Sequence, residues 1–336
     1  MYIVYIFITY ILLLSLFLKK DKYIWFYLFP MFLTLATQVG VGTDYELYIE
    51  WLKNPNTFNA KKGIAFKYLL EILNNFNNER ILFVVVSLIQ IILLFLILKK
   101  LKTDKIIKNI PIFFVMLIIS TPIYYQLFNS LRSSITSLIF ILAFFTQNKL
   151  KSLLWIGFAF TIHPTSVLMT PIIILRDKIK KYIRKGYLII YLLVCFIFMK
   201  IKFIYILSDF IYNLDFNFKY KGYLKSYHMF RYIEGFGIAI IIQVFIMLFF
   251  VVFLYQKYKY KKDLYCINIG ILVAGLRMLF YHTPVLNRIL EYFNIFLAIV
   301  IYRLIVDSFK KEYFYLGAFI FIFYVLCFIR SSFFMI

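Results

Sequence analysis

The chain has 336 residues, of which 64% are hydrophobic and 22% aromatic, and its formal net charge is +23. An ordinary soluble domain is about 45–50% apolar, so this composition excludes a water-soluble globule. The charge does not point to nucleic acid, because the lysines and arginines fall in short clusters between hydrophobic runs, the pattern that orients membrane proteins.

Runs of about 17–25 apolar residues are long enough to cross a hydrocarbon layer about 30 Å thick. The first run, 2–18, has no basic leader and no small-residue cleavage site, so it reads as an uncleaved span. Lys19, Lys20 and Lys22 follow it. The second span is 23–41. A polar segment, 42–80, comes next, and within it Phe66, Leu69, Leu70 and Leu73 recur at helical spacing. That spacing predicts a helix over Ile64 to Phe76 lying flat on the membrane. Spans follow at 81–98, 110–128 and 130–147, with basic clusters at Lys99–Lys108 and at Lys149 and Lys151.

The run 152–175 is interrupted by His163-Pro164. Proline removes a backbone donor and disfavours helix at the residue before it. The run is either one crossing or a pair of half-helices that enters and returns. Later spans are expected at 186–203, 235–255, 264–281, 288–306 and 314–329, with a polar stretch at 204–234. The fold class is therefore all-α: a polytopic integral membrane helical bundle of about 10–12 membrane segments, one transmembrane domain over residues 1–336. A broken or re-entrant pair occupies 152–175, and a GT-C-like arrangement is among those the pattern allows.

Charge arbitrates between the two readings of 152–175. If that run returns, the excess of Lys and Arg lies on one side, all in short connections, which marks the cytoplasmic side. Both termini and the segments 42–80 and 204–234 are then outside. Asp44, Arg132, His163, His228, Arg231, His282 and Arg288 all fall at or near that outer face.

Several of these residues suit anion or sugar chemistry. Asn129 and Ser130 are placed to cap the helix that carries Arg132, and a helix N-terminus with an arginine one turn in favours an anion. An arginine snorkelling to the interface is the plainer alternative. Arg277 lies well inside a span, where a charge is costly and usually functional or paired; Glu291 is the partner expected for it. Arg288 and Tyr292 are four apart and share a helical face. His163 is either a hydrogen-bonded residue at the hairpin tip or a proton acceptor. Asp44 beside Tyr45 and Tyr48 suits a sugar site, although tyrosines at an interface are also the ordinary aromatic belt. The same ambiguity holds for the tyrosines and bases of 205–232.

No P-loop, no His/Cys zinc spacing and no DxD pair occurs. No cofactor and no metal is expected. Cys195, Cys266 and Cys327 show no paired spacing and read as small apolar filler.

Four pieces in one order carry a resemblance: Gly42-Thr43-Asp44-Tyr45 with Tyr48; Asn129-x-x-Arg132; His163 followed by Thr165 and Ser166; and Arg288-x-x-x-Tyr292. Together they resemble the EpsG-type, Wzy-like family of bacterial exopolysaccharide polymerases over nearly the whole chain. Lys61-Lys62-Gly63-Ile64 stands where the family often has an acidic-Pro-Gly stretch, and Ser133 where it usually has a glutamine. The resemblance implies a glycosyltransferase at the outer face of the bacterial cytoplasmic membrane that joins polyprenyl-diphosphate-linked repeat units. Partners would be that lipid-linked oligosaccharide, the bilayer and export proteins such as a chain-length regulator. Arg132, Arg288, Arg277 and Asn129 would hold the diphosphate, His163 or Asp44 would be catalytic, and Tyr45, Tyr48, Tyr292, Arg231 and His282 would meet the glycan. A lipid-linked oligosaccharide flippase, or an acyltransferase that modifies the polymer, would use the same residue types.

Overall fold

The computed structural model describes residues 10–12, 14, 20–42, 44–179, 181–213, 238–259, 261, 263–281, 283–308 and 313–333. Most of the first expected span, Thr43, His228, Arg231 and His282 lie outside them. All regular structure among the described residues is helical.

The chain clusters into two compact units, Met1–Lys178 with Ile322–Ile336, and Ile179–Phe321. Among the described residues, three helices are long and apolar enough to cross a membrane alone: Arg80–Thr103, Ile240–Tyr258 and Leu286–Ser308. The protein is a multi-pass membrane protein. Its surface says the same: along Arg80–Thr103 the outward stripe is Leu88, Ile92 and Leu96, while Ser87 and Gln90 are buried. A soluble helix would reverse that pattern.

In the first unit the helices are α1 Trp25–Ala36, α2 Tyr45–Lys53, α3 Ile64–Asn74, α4 Arg80–Thr103, α5 Ile110–Ser120, α6 Ile123–Asn129, α7 Leu131–Phe145, α8 Lys149–Ile162 and α9 Thr170–Ile179. Helix α4 packs between α1 and α7, and α7 packs on α8. Gln90 on α4 donates to the Leu127 carbonyl at 3.1 Å and to Ser134 Oγ at 2.7 Å, which ties α4 to the α6–α7 corner. Helix α3 forms where the apolar spacing predicts a flat helix. It buries Phe66, Leu70 and Leu73 and exposes Ile64, Tyr68 and Ile72, so both faces are apolar.

The run 110–128, expected as one straight span, is broken. Helices α5 and α6 meet at 69°. Thr121 is extended, at φ −135° and ψ 155°, as the residue before Pro122 prefers.

The run after Lys149 returns. Helix α8 has 14 residues, about 21 Å of helix. His163 is extended, a 3-10 turn covers Pro164–Met169, and α9 leads back. At the base, Lys149 Nζ meets Asp177 Oδ2 at 3.0 Å. Buried Arg176 donates to the carbonyls of Phe144, Thr146 and Gln147, at 2.8, 2.5 and 3.1 Å. Phe144 is in the last turn of α7, whose carbonyls lack helical partners, and Thr146 and Gln147 follow it. The hairpin is thus closed at its mouth by a guanidinium and an ion pair.

In the second unit lie α10 Lys185–Lys200, α11 Phe203–Asn213, α12 Ile238–Phe249, α13 Leu264–Leu279, α14 Pro284–Leu290 and α15 Asn294–Ser308, and α16 Phe314–Phe333 begins there. Helix α13 packs on α10 and α15. The run expected as a straight span at 186–203 bends by 65° into α11, over Lys202 at φ +54°. The expected polar stretch at 204–234 therefore starts as helix. Cys195 and Cys266 are buried and all three cysteines are unbridged.

Candidate functional site

The first unit brings together four stretches that are far apart in sequence. Arg132 is at their centre. It lies in the first turn of α7, whose N-cap is Ser130. The expected side-chain cap is not made: Ser130 gives no capping bond, and Asn129 Oδ1 is buried without a hydrogen-bond partner among the described residues. The first amides of α7 keep their free N–H groups and partial positive charge.

The guanidinium of Arg132 sits in an aromatic cage. Its central carbon is 5.1 Å from the rings of Trp51 and Phe58 and 5.7 Å from that of Phe66. Those rings are buried and packed edge to face or tilted on one another. Cations over ring faces are attracted to the ring quadrupole, so the cage fixes the plane of the guanidinium. Nη1 donates to the Lys62 carbonyl at 2.8 Å. Nε is buried and has no hydrogen-bond partner among the described residues. Among the described residues no carboxylate pairs with Arg132. A guanidinium has five N–H donors, and among the described residues the Nε donor of this one is unused.

Two glycines let the backbone close around it. Gly63 has φ +142°, and a Cβ there would overlap the Ile162 carbonyl. Gly42 has φ +94°, and a Cβ there would overlap the Asn129 side chain. Only glycine tolerates both the dihedral and the approach. Gly63 seats the start of α3 against the hairpin tip, and Gly42 seats the segment before α2 against the start of α7.

His163 lies at the tip, outside the crossing helices. Burial first, and then the positive charge of Arg132, push its pKa down to about 4. The imidazole is therefore neutral near pH 7. Among the described residues its Nδ1 has no hydrogen-bond partner, nor does Oγ of fully buried Ser166 one turn on. Tyr48 is buried beside Arg132. Burial raises its phenol pKa, with Arg132 pulling the other way. Asp44 is the N-cap of α2 and acts on Tyr48 through its charge.

Asp44, Tyr48, Asn129, Arg132 and His163 thus form one cluster. Tyr45 stacks flat on Phe83 at 4.9 Å, so its ring is committed to packing. Ser166, the Lys62 carbonyl, Gly63 and the three rings of the cage were not assigned from sequence. Ser166 stood in the stretch after His163 and Gly63 after two lysines, but the need for a positive φ at Gly63 is invisible in one dimension.

The second unit holds its own arginines. Arg277 donates Nη2 to Asn294 Oδ1, and its charge also acts on Glu291, the partner expected for it. Arg288 is exposed on α14, and Tyr292 is buried. Another buried pair was not anticipated: Arg303 meets Asp263 at 2.6 Å, and Tyr258 donates to Asp307.

No group of three His, Cys, Asp or Glu side chains capable of holding a metal occurs among the described residues. The chemistry available in the first unit is that of fixed N–H donors and positive charge around neutral polar groups, which suits an oxyanion. A family model described as the EpsG family matches residues 22–335, nearly the whole chain. No curated protein and no solved structure matches it.

Proposed function

The chain belongs to the EpsG family, and from that premise we propose that it is a polysaccharide polymerase that joins polyprenyl-diphosphate-linked oligosaccharide repeats at the outer face of the cytoplasmic membrane. The observation that carries the reading is Arg132. An arginine with no carboxylate partner among the described residues, held in an aromatic cage beside uncapped helix amides, is built to receive an anion. Lipid diphosphate is the anion that this chemistry requires.

In the reaction, a hydroxyl of one lipid-linked glycan attacks the anomeric carbon of the glycan on a second lipid. The bond from that carbon to the diphosphate breaks, and negative charge grows on the departing oxygen. Arg132 stabilises that charge, because its planar fork meets two oxygens and it never loses its proton. Asn129 sits beside the same helix start and orients the phosphate. Asp44 and neutral His163 hold glycan hydroxyls by hydrogen bonds. Protonating His163 would place two cations side by side, so it serves better as a hydrogen-bonding group than as a base. A cationic clamp of this kind does what a metal does in other transferases.

Reconstitution in liposomes tests the reading. A polyprenyl-diphosphate-linked repeat supplied on the face that carries Arg132 should yield longer glycans. Translocation without lengthening would mean a flippase, and ester formation from an acyl donor would mean an acyltransferase.

A further inference from the structure

One face of α3 has no role so far. Ile64, Tyr68 and Ile72 are 48%, 58% and 60% exposed. They are four residues apart, so they form one row along the helix, about 12 Å long at 1.5 Å per residue. Exposed Phe76 follows just past the helix end. The opposite face, Phe66, Leu70 and Leu73, is buried, and Phe66 is one wall of the Arg132 cage. A surface helix in water turns a polar face outward. This one turns apolar side chains both ways.

The row has two unlike edges. Along one, Lys67 and Glu71 pair at 3.6 Å. Along the other stand Ala65 and Leu69. A helix with a charged edge and an apolar outer row sits where headgroups meet hydrocarbon. Its first turn is pinned there to the anion site. The Lys62 carbonyl takes the Arg132 Nη1 bond at 2.8 Å, and Gly63 closes on the Ile162 carbonyl. Ile64 opens the row on the next residue. The row therefore starts two residues from the carbonyl that the guanidinium holds.

That register fits an anion with a hydrocarbon tail. Bulk lipid needs only some apolar outer face, placed anywhere along the helix. A lipid whose phosphates are seated at Arg132 needs apolar surface beginning at that point, because its chain is bonded to the phosphate. We infer that the outer face of α3 is the seat of the polyprenyl chain, with Ile64, Tyr68 and Ile72 meeting its first isoprene units. The inference rests on the reading that Arg132 receives the lipid's diphosphate. At headgroup level the row otherwise meets water and polar groups, so covering it with hydrocarbon is favourable.

The test compares two ligands on the full-length protein in nanodiscs: a polyprenyl diphosphate, and inorganic pyrophosphate, which has no tail. The readout is the ratio of the two affinities. Partitioning of the lipid into the nanodisc cancels when two proteins are compared. In the double variant Tyr68→Asn, Ile72→Asn the preference for the tailed ligand should fall about tenfold or more, equivalent to about 1.4 kcal/mol. Full burial of one large apolar side chain contributes at least as much. Should that variant not accumulate in the membrane, Ile72→Ala replaces it, with a fall of about threefold or more expected from the smaller loss of apolar area. A smaller fall than that given for the variant used overturns the proposal and leaves the face to bulk bilayer or a partner protein. Equal loss of both affinities also overturns it, since the row would then act only through the seat of Arg132. If wild type binds neither ligand, the diphosphate reading itself falls and takes this one with it. If wild type binds both and the variant keeps the ratio, only the tail site is lost.

Discussion

Lys149 Nζ and Asp177 Oδ2 meet at 3.0 Å, so the chain between them goes in and comes back. Arg176 reinforces the closure on three carbonyls. The tip then carries His163 and Ser166 to the end of α7 at which Arg132 begins, while the mouth stays at the other end. This geometry makes the hairpin testable from both sides of the membrane.

In a variant lacking Cys195, Cys266 and Cys327, a single cysteine at Thr165, an exposed tip position, should react with an impermeant thiol reagent added outside. A cysteine at exposed Asn148 should react only after the cytoplasmic face is opened. Labelling of both positions from one side would mean that the tip does not reach across.

Arg132→Lys keeps the charge and loses the fork. The ammonium cannot fill the Trp51, Phe58 and Phe66 cage, bond the Lys62 carbonyl and offer a second donor in one plane. Elongation should drop by roughly 100-fold, the loss seen on removing one oxyanion donor, while the amount of inserted protein is unchanged. Arg132 as a simple interface anchor would tolerate lysine.

Gly63→Ala forces a Cβ onto φ +142° and into the Ile162 carbonyl. Backbone strain of this kind costs about 1–3 kcal/mol, and a lower unfolding temperature in detergent should report it. Gly42→Ala strikes mainly the Asn129 side chain, which can move. It should cost less stability than Gly63→Ala and relatively more activity.

His163 links stability to pH. Its folded pKa, about 4, is below the ordinary 6.5. The unfolded chain takes up the proton first, so the stabilisation is full above about pH 6.5 and is lost as pH falls towards 4. The loss across that window is about 3 kcal/mol at most. The unfolding temperature of wild type should fall on acidification from pH 6.5 to 5, and His163→Gln should flatten that dependence. Parallel curves for the two proteins would remove the link.

Much of the first-unit cluster was legible in the sequence, because charged and polar residues at the margins of apolar runs are expensive and therefore conspicuous. Arg132, His163 and Asp44 stood out in that way, and Pro164 announced the turn. Pro122 carried the same kind of signal, but the apolar run passes through it without a charge, and the break there was missed. Arg176 looked like one more base of a cytoplasmic cluster. Its burial against the end of α7 depends on the hairpin closing, which no local pattern encodes. Ser130 had the right chemistry for a cap and does not use it. Arg277 and Glu291 were expected to pair; the charge of Arg277 does act on Glu291, and Arg277 also donates to Asn294, an acceptor the sequence did not single out.

The most direct measurement is equilibrium binding of a polyprenyl diphosphate, without glycan, to the purified protein and to Arg132→Ala. Losing one charge-assisted contact to phosphate should weaken binding by at least tenfold, since such bonds contribute about 1.5–3 kcal/mol. Equal affinity in the two proteins would contradict the claim that Arg132 grips the lipid's phosphates.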